Sequence, residues 1–138
     1  NREIVGYAMN HRMTQDLVGR ALFRAVAARR PPKGLIHHSD RGSQYCSHSH
    51  QKLMKQFKMK PSMSRKGNCW DNASMESFFG TLKQEMVHHR KYRTRREAMT
   101  EISEYIEVFY NRQRRHANLG NLSPAAYWKK FIRRQGAA

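Results

Sequence analysis

A short apolar run, Leu35-Ile36-His37-His38-Ser39, ends directly on an acid, Asp40, and another acid, Glu76, falls just inside a helical pattern, with 35 residues between the two. This pairing is the strongest constraint in the chain. Acids are scarce: there are 10 Asp plus Glu against 27 Lys plus Arg. A carboxylate at the end of a strand therefore asks for a chemical reason. Asp40 can simply start a turn and Glu76 can simply complement a helix dipole. The capping account of Glu76 is weak, however. A capping box puts its Glu three residues after the cap, which would make the cap Ala73, a residue with no acceptor. Both acids are read instead as ligands for divalent metal.

The surrounding pattern is strand, helix, strand, helix, strand, then helices. The β-forming run 3–9 predicts a first strand. Thr14 predicts a helix start, with Asp16 in its first turn. Leu17, Val18, Ala21, Leu22, Ala25 and Val26 continue that helix to the stop at Arg29-Arg30-Pro31-Pro32. Gly34 releases the chain into a short buried strand ending at Asp40. Gly42 and Ser43 turn it into a helix carrying Leu53, Met54 and Phe57. Residues 59–63 predict another strand, at an edge because of Pro61. Residues 64–72 read as a loop, and 73–86 as a helix with an apolar stripe of Met75, Phe78, Phe79, Leu82 and Met86. Thr94 and Glu97 form a capping box for the next helix, packed through Ala98, Ile102, Tyr105, Ile106 and Phe109. Residues 112–116 read as a basic loop, and Ser123-Pro124 opens a last helix through Tyr127, Trp128 and Phe131. Such alternation predicts an α/β fold with a parallel or mixed sheet, and ligand sites on such sheets gather at the carboxyl ends of the strands. One domain is expected at this length, with residues 1–90 as its core and 91–138 as a helical part of it.

The formal net charge is +17 over 138 residues. A surface this basic attracts polyanions, DNA first among them. No long apolar run or signal peptide suggests a membrane, and the two cysteines, Cys46 and Cys69, give no disulfide framework and fit a reducing cytoplasm. The spacings of His37, His38, Cys46, His48, His50 and Cys69 match no zinc-finger pattern. Mg²⁺ and Mn²⁺ prefer carboxylate oxygens, and two such ions can activate an attacking oxygen and stabilise a leaving one in phosphodiester chemistry. Around the two acids, Lys83 lies two turns from Glu76 on one helix flank. Arg65 and Lys66 sit in a loop that either clasps DNA or is merely basic. Asn72 either orients that loop or caps a helix. Arg41 is placed to steady a carboxylate or a phosphate, and the run Arg112 to Arg115 is either a backbone contact or a solvated loop.

The residues His38-Ser39-Asp40-Arg41-Gly42-Ser43-Gln44-Tyr45 resemble the second-aspartate motif of insertion-sequence transposases with a retroviral-integrase-like core. The stretch Ser62 to Ala73, with Met75-Glu76-Ser77-Phe78-Phe79-Gly80-Thr81-Leu82-Lys83, is similar to the segment around their catalytic glutamate. Tyr110-Asn111, Arg115-His116, Leu119 and Ser123-Pro124 with Tyr127 resemble their C-terminal signature. The resemblance implies a ribonuclease-H-like integrase core, present in part with its first strands missing, and a C-terminal helical extension. It implies two Mg²⁺ or Mn²⁺ ions, with Asp40 and Glu76 as catalytic metal ligands. It further implies transposon-end and target DNA as substrates, a multimer working on that DNA, and a place near the bacterial nucleoid. Lys83, Arg65, Lys66, Asn72 and Arg41 become DNA contacts. The family's first catalytic Asp has no counterpart, since Glu3 and Asp16 are the only acids before Asp40. The chain is therefore expected to be incomplete at its N-terminal side and inactive alone. The alternative is a non-catalytic basic module for DNA binding or assembly.

Overall fold

The computed structural model describes residues 1–65 and 73–136. They divide into two compact units, Val5–His89 and Asn1–Ile4 together with Arg90–Ala138.

In the first unit, helix α1 spans Gln15–Arg29. Thr14 caps it by accepting from the Leu17 N–H at 3.3 Å, which satisfies one of the free donors of the first turn. The helix ends where Arg30 turns left-handed at φ 42° and Pro31 follows. Strand β1 is Ile36–Ser39 and strand β2 is Lys60–Met63. They pair in parallel, with Ile36 opposite Lys60, His37 opposite Pro61, His38 opposite Ser62 and Ser39 opposite Met63. A parallel pair needs a crossover, and helices α2 (Ser43–Cys46) and α3 (His48–Gln56) supply it. Gly34, at φ +84°, enters the sheet through a conformation that other residues rarely adopt. Pro61, without an N–H, is tolerated because the sheet has two strands among the described residues, each of them an edge.

Two expectations change here. Residues 3–9 form no strand. β-forming residues become a strand only when another strand accepts their ladder, and this segment meets helices and side chains instead. Gly6 lies so close to α1 that a Cβ would come within 2.6 Å of the Ala21 carbonyl oxygen and 2.5 Å of the Ala25 nitrogen. The Tyr7 carbonyl accepts from Arg24 Nη1 at 2.9 Å. Second, β1 is buried on one face only. His37 and Ser39 face inward, while Ile36 is 65% exposed.

Helix α4 spans Ala73–Glu85. Its apolar stripe is narrower than expected. Phe78, Leu82 and Met86, spaced four apart, are buried, whereas Met75 and Phe79 are each 50% exposed. Positions four apart share one helix face, and Met75 and Phe79 fall on the neighbouring one.

In the second unit, helix α5 runs Arg95–Glu104 from its Thr94 cap and continues as a wider π-helical stretch, Tyr105–Gln113. Half of the capping box forms as expected, since Thr94 Oγ1 accepts from the Glu97 N–H, while Glu97 Oε2 accepts from the N–H of Arg93, the residue before the cap, and not from that of Thr94. The π-helical turn brings residues five apart onto one face, so Tyr105 and Tyr110, and Ile106 and Asn111, all point inward. Asn111 makes two bonds to Ile4, accepting from its N–H and donating to its carbonyl, both at 2.9 Å. The side-chain amide thus takes the part that a neighbouring strand would take. The expected basic loop 112–116 is in part helix. Arg114 lies over the Tyr110 ring at 5.9 Å, while Arg112 and Arg115 are exposed. Helix α6, Pro124–Gly136, begins at the fully buried Pro124, with the preceding Ser123 Oγ accepting from the Ala126 N–H at 3.3 Å.

Candidate active site

Asp40 stands immediately after β1, at the carboxyl end of the parallel pair, and its side chain is exposed. Its Oδ1 accepts from the Gly42 N–H at 2.8 Å. This Asx-type turn fixes the carboxylate and leaves Oδ2 with no hydrogen bond among the described residues. Gly42 is required for closeness and not for backbone freedom: a Cβ there would stand 2.9 Å from Asp40 Oδ1.

The platform beneath Asp40 is stitched across the two strand ends. Ser64 donates its backbone N–H to the Ser39 carbonyl at 2.9 Å, and its hydroxyl reaches the same oxygen at 3.2 Å. His38 bridges two hydroxyls, with Nδ1 3.0 Å from Ser62 Oγ and Nε2 3.1 Å from Ser64 Oγ. Arg41 Nε donates to the Ser64 carbonyl at 2.9 Å. Arg41 therefore spends one donor on the framework, where the sequence suggested a carboxylate or a phosphate. His38, Ser62 and Ser64 were not singled out from sequence as a network. The signal was present in the parallel register, which sets His38 opposite Ser62.

Behind the strand, Tyr45, His37 and His50 form an aromatic cluster. His50 is 5.4 Å from both His37 and Tyr45, ring centre to ring centre. His50 is 3% exposed, and neither ring nitrogen has a hydrogen-bond partner. Burial holds its pKa below 6.5. His37 is lowered as well, first by burial and then by His50 and His38, against an opposing backbone hydrogen bond. The Tyr45 phenol is raised by burial and by the negative charge of Asp40.

Glu76 lies in the exposed first turn of α4. Lys83, also exposed, is two turns along, about 10.5 Å by helix rise. Gly80 between them has nothing within 4 Å of where a Cβ would stand, so this flank is open. Arg65 is exposed next to Ser64. Lys66 and Asn72 lie outside the described residues. Among the described residues, no three His, Cys, Asp or Glu side chains gather to hold an ion. No helix among them is long and apolar enough to cross a membrane.

Asp40 is thus an exposed acid at the end of a parallel strand and Glu76 an exposed acid on an open helix flank, and carboxylates are the oxygen donors that hard divalent cations prefer. Two family models, both described as "Integrase core domain", match the chain, one over residues 1–69 and the other over residues 76–131. The chain belongs to the integrase core family. It is 60% identical over 129 residues to the "Insertion element IS600 uncharacterized 31 kDa protein" of Shigella sonnei, covering 94% of this chain and 47% of that protein. It is 45% identical over 129 residues to the transposase for insertion sequence element IS904 of Lactococcus lactis subsp. lactis (strain IL1403), covering 94% and 51%. It is 42% identical over 132 residues to transposase InsF for insertion sequence IS3A of Escherichia coli (strain K12), covering 96% and 46%. The chain thus spans about half the length of the curated relatives it matches.

Proposed function

We propose that this chain carries the second and third acids of a metal-dependent DNA strand-transfer site. On this reading Asp40 and Glu76 hold Mg²⁺ or Mn²⁺ within a ribonuclease-H-like core. The observation that carries it is Asp40 itself, an exposed carboxylate fixed at a strand end with one oxygen tied to the Gly42 N–H and the other uncommitted. Family membership supports it, as integrase cores generally use divalent ions. An all-oxygen donor set of carboxylates suits hard cations. When bound, a pair of such ions supplies charge stabilisation for the attacking and leaving oxygens.

The reaction on this reading has two displacements. Water attacks a phosphorus at the transposon end, the bond to the leaving oxygen breaks, and a 3′-hydroxyl is freed. That hydroxyl then attacks a target phosphodiester and displaces its 3′ oxygen. Lys83, Arg65 and Lys66 hold DNA phosphates beside the acids, and Asn72 orients their loop. Arg41 keeps the strand ends in place. Multimeric action on paired ends in the cytoplasm belongs to the same reading. A third acid is still required. Glu3 is engaged with Asn1 Nδ2 at 3.2 Å, and Asp16 serves the first turn of α1. By itself the chain is expected to bind metal weakly and to join no DNA ends.

Calorimetric titration with Mn²⁺ tests this. Asp40→Asn and Glu76→Gln should each weaken binding at least about tenfold, which is ~1.4 kcal/mol. If both variants bind Mn²⁺ like the parent while salt-sensitive DNA binding persists, the non-catalytic DNA-binding module is the correct reading. Joined donor ends formed in Mg²⁺ by the 138-residue chain alone would refute the missing-acid part.

A further inference from the structure

The acids of the second unit are confined to Glu3 and to residues 97–107, where Glu97, Glu101, Glu104 and Glu107 follow the cations Arg90, Lys91, Arg93, Arg95 and Arg96, while Val108 to Ala138 hold seven Lys plus Arg and no acid. Four of those cations, Lys129, Lys130, Arg133 and Arg134, are exposed on α6. Together with Leu122 and Ala126 they line one open groove of about 560 Å³. Lys130 and Arg134 also border a second cavity of about 300 Å³, floored by Leu119, Leu122, Tyr127 and Phe131. At about 100° per residue the four cations occupy roughly 140° of the helix circumference. Lys129 and Arg133, and Lys130 and Arg134, form two rows with a rise of about 6 Å along each. The buried Pro124 and the Ser123 cap fix the start of the helix. The catalytic reading uses none of these residues.

We propose that this face of α6 is a second DNA contact, one that binds the phosphate backbone of duplex DNA without reading sequence. It rests on the proposed function only in taking DNA as the ligand. The favouring observation is charge complementarity: two rows of cations with no carboxylate in either cavity lining. Arg can grip a phosphate through two N–H groups and Lys acts as a point charge. The apolar floor at Tyr127 and Phe131 gives the deoxyribose edge a surface to lie against. Non-specific contacts of this kind release counterions, so each phosphate neutralised adds about 0.9 to the log–log salt slope.

The test measures binding of the full chain to a mixed-sequence duplex by fluorescence anisotropy across a salt series, with EDTA present. Removing divalent ions keeps the outcome independent of Asp40 and Glu76. A variant with Lys129, Lys130, Arg133 and Arg134 all changed to Gln should lose about 3.6 from the slope. A matched variant with Lys33, Lys52, Lys55 and Lys58 changed to Gln, exposed residues of the other unit, should lose less than about 1. Arg133→Lys with Arg134→Lys should keep the parent slope, which controls for folding. Equal losses in the two fourfold variants would reduce the effect to net charge and overturn the proposal. So would an unchanged slope in the α6 variant, or loss of binding to anionic lipid vesicles with DNA binding intact.

Discussion

Gly42 and His50 show how much a single residue can decide near Asp40. Gly42→Ala puts a Cβ 2.9 Å from Asp40 Oδ1. The carboxylate is the far end of a short side chain, so it can swing aside at little cost to the fold. The expected result is an unchanged melting temperature and Mn²⁺ binding weakened about threefold or more, because ligand geometry is held to within about 0.5 Å in working sites. Calorimetry beside a thermal melt separates the two effects. His50 acts on stability. Its folded pKa is depressed by burial, so below about 6.5 the unfolded chain takes up a proton that the folded one resists. Stability is full above that pH and falls as pH drops from the unfolded value toward the folded one. Each kcal/mol lost lowers the melting temperature by about 4–8 °C in a domain of this size. His50→Leu should flatten the dependence between pH 7.5 and pH 5.5. His37, lowered as well, will leave a smaller remainder.

Among the elements, the extended segment lies close against α1 at Gly6. A Cβ at Gly6 would meet the Ala25 nitrogen and the Ala21 carbonyl, both backbone atoms that cannot rotate away. Gly6→Ala should cost about 1–3 kcal/mol by overpacking, seen as a lower urea midpoint with an unchanged slope. This segment also marks where the sequence stopped being legible. Caps and breakers act locally, so Thr14, Arg30-Pro31, Gly34, Thr94 and Ser123-Pro124 all stand where pattern placed them. The position of Asp40 at a strand end was legible for the same reason. Residues 3–9 were not, because whether β-forming residues become a strand depends on a partner elsewhere in the chain. The bridge from His38 to Ser62 and Ser64 needed the parallel register before it could be seen. Met75 and Phe79 read as core because apolar residues match a stripe whether or not anything covers them. Lys66 and Asn72 remain sequence assignments outside the described residues.

For the molecule as a whole, charge is the dominant property. With a formal net charge of +17, binding to duplex DNA should be strongly salt-dependent. If six to ten phosphates are contacted, affinity should fall by about 10³–10⁵ between 50 and 200 mM salt. A log–log salt titration checks this, and a flat line would deny electrostatic binding altogether. A different consequence follows from the two bonds that join Ile4 to Asn111 across 107 positions. Residues 1–4 belong with residues 90–138, which are synthesised later, so they must wait for them. No single scission of the polypeptide can yield both halves whole. A fragment starting at Arg90 would carry a buried amide robbed of its mate, and only by supplying the opening peptide in trans could that half regain its native stability.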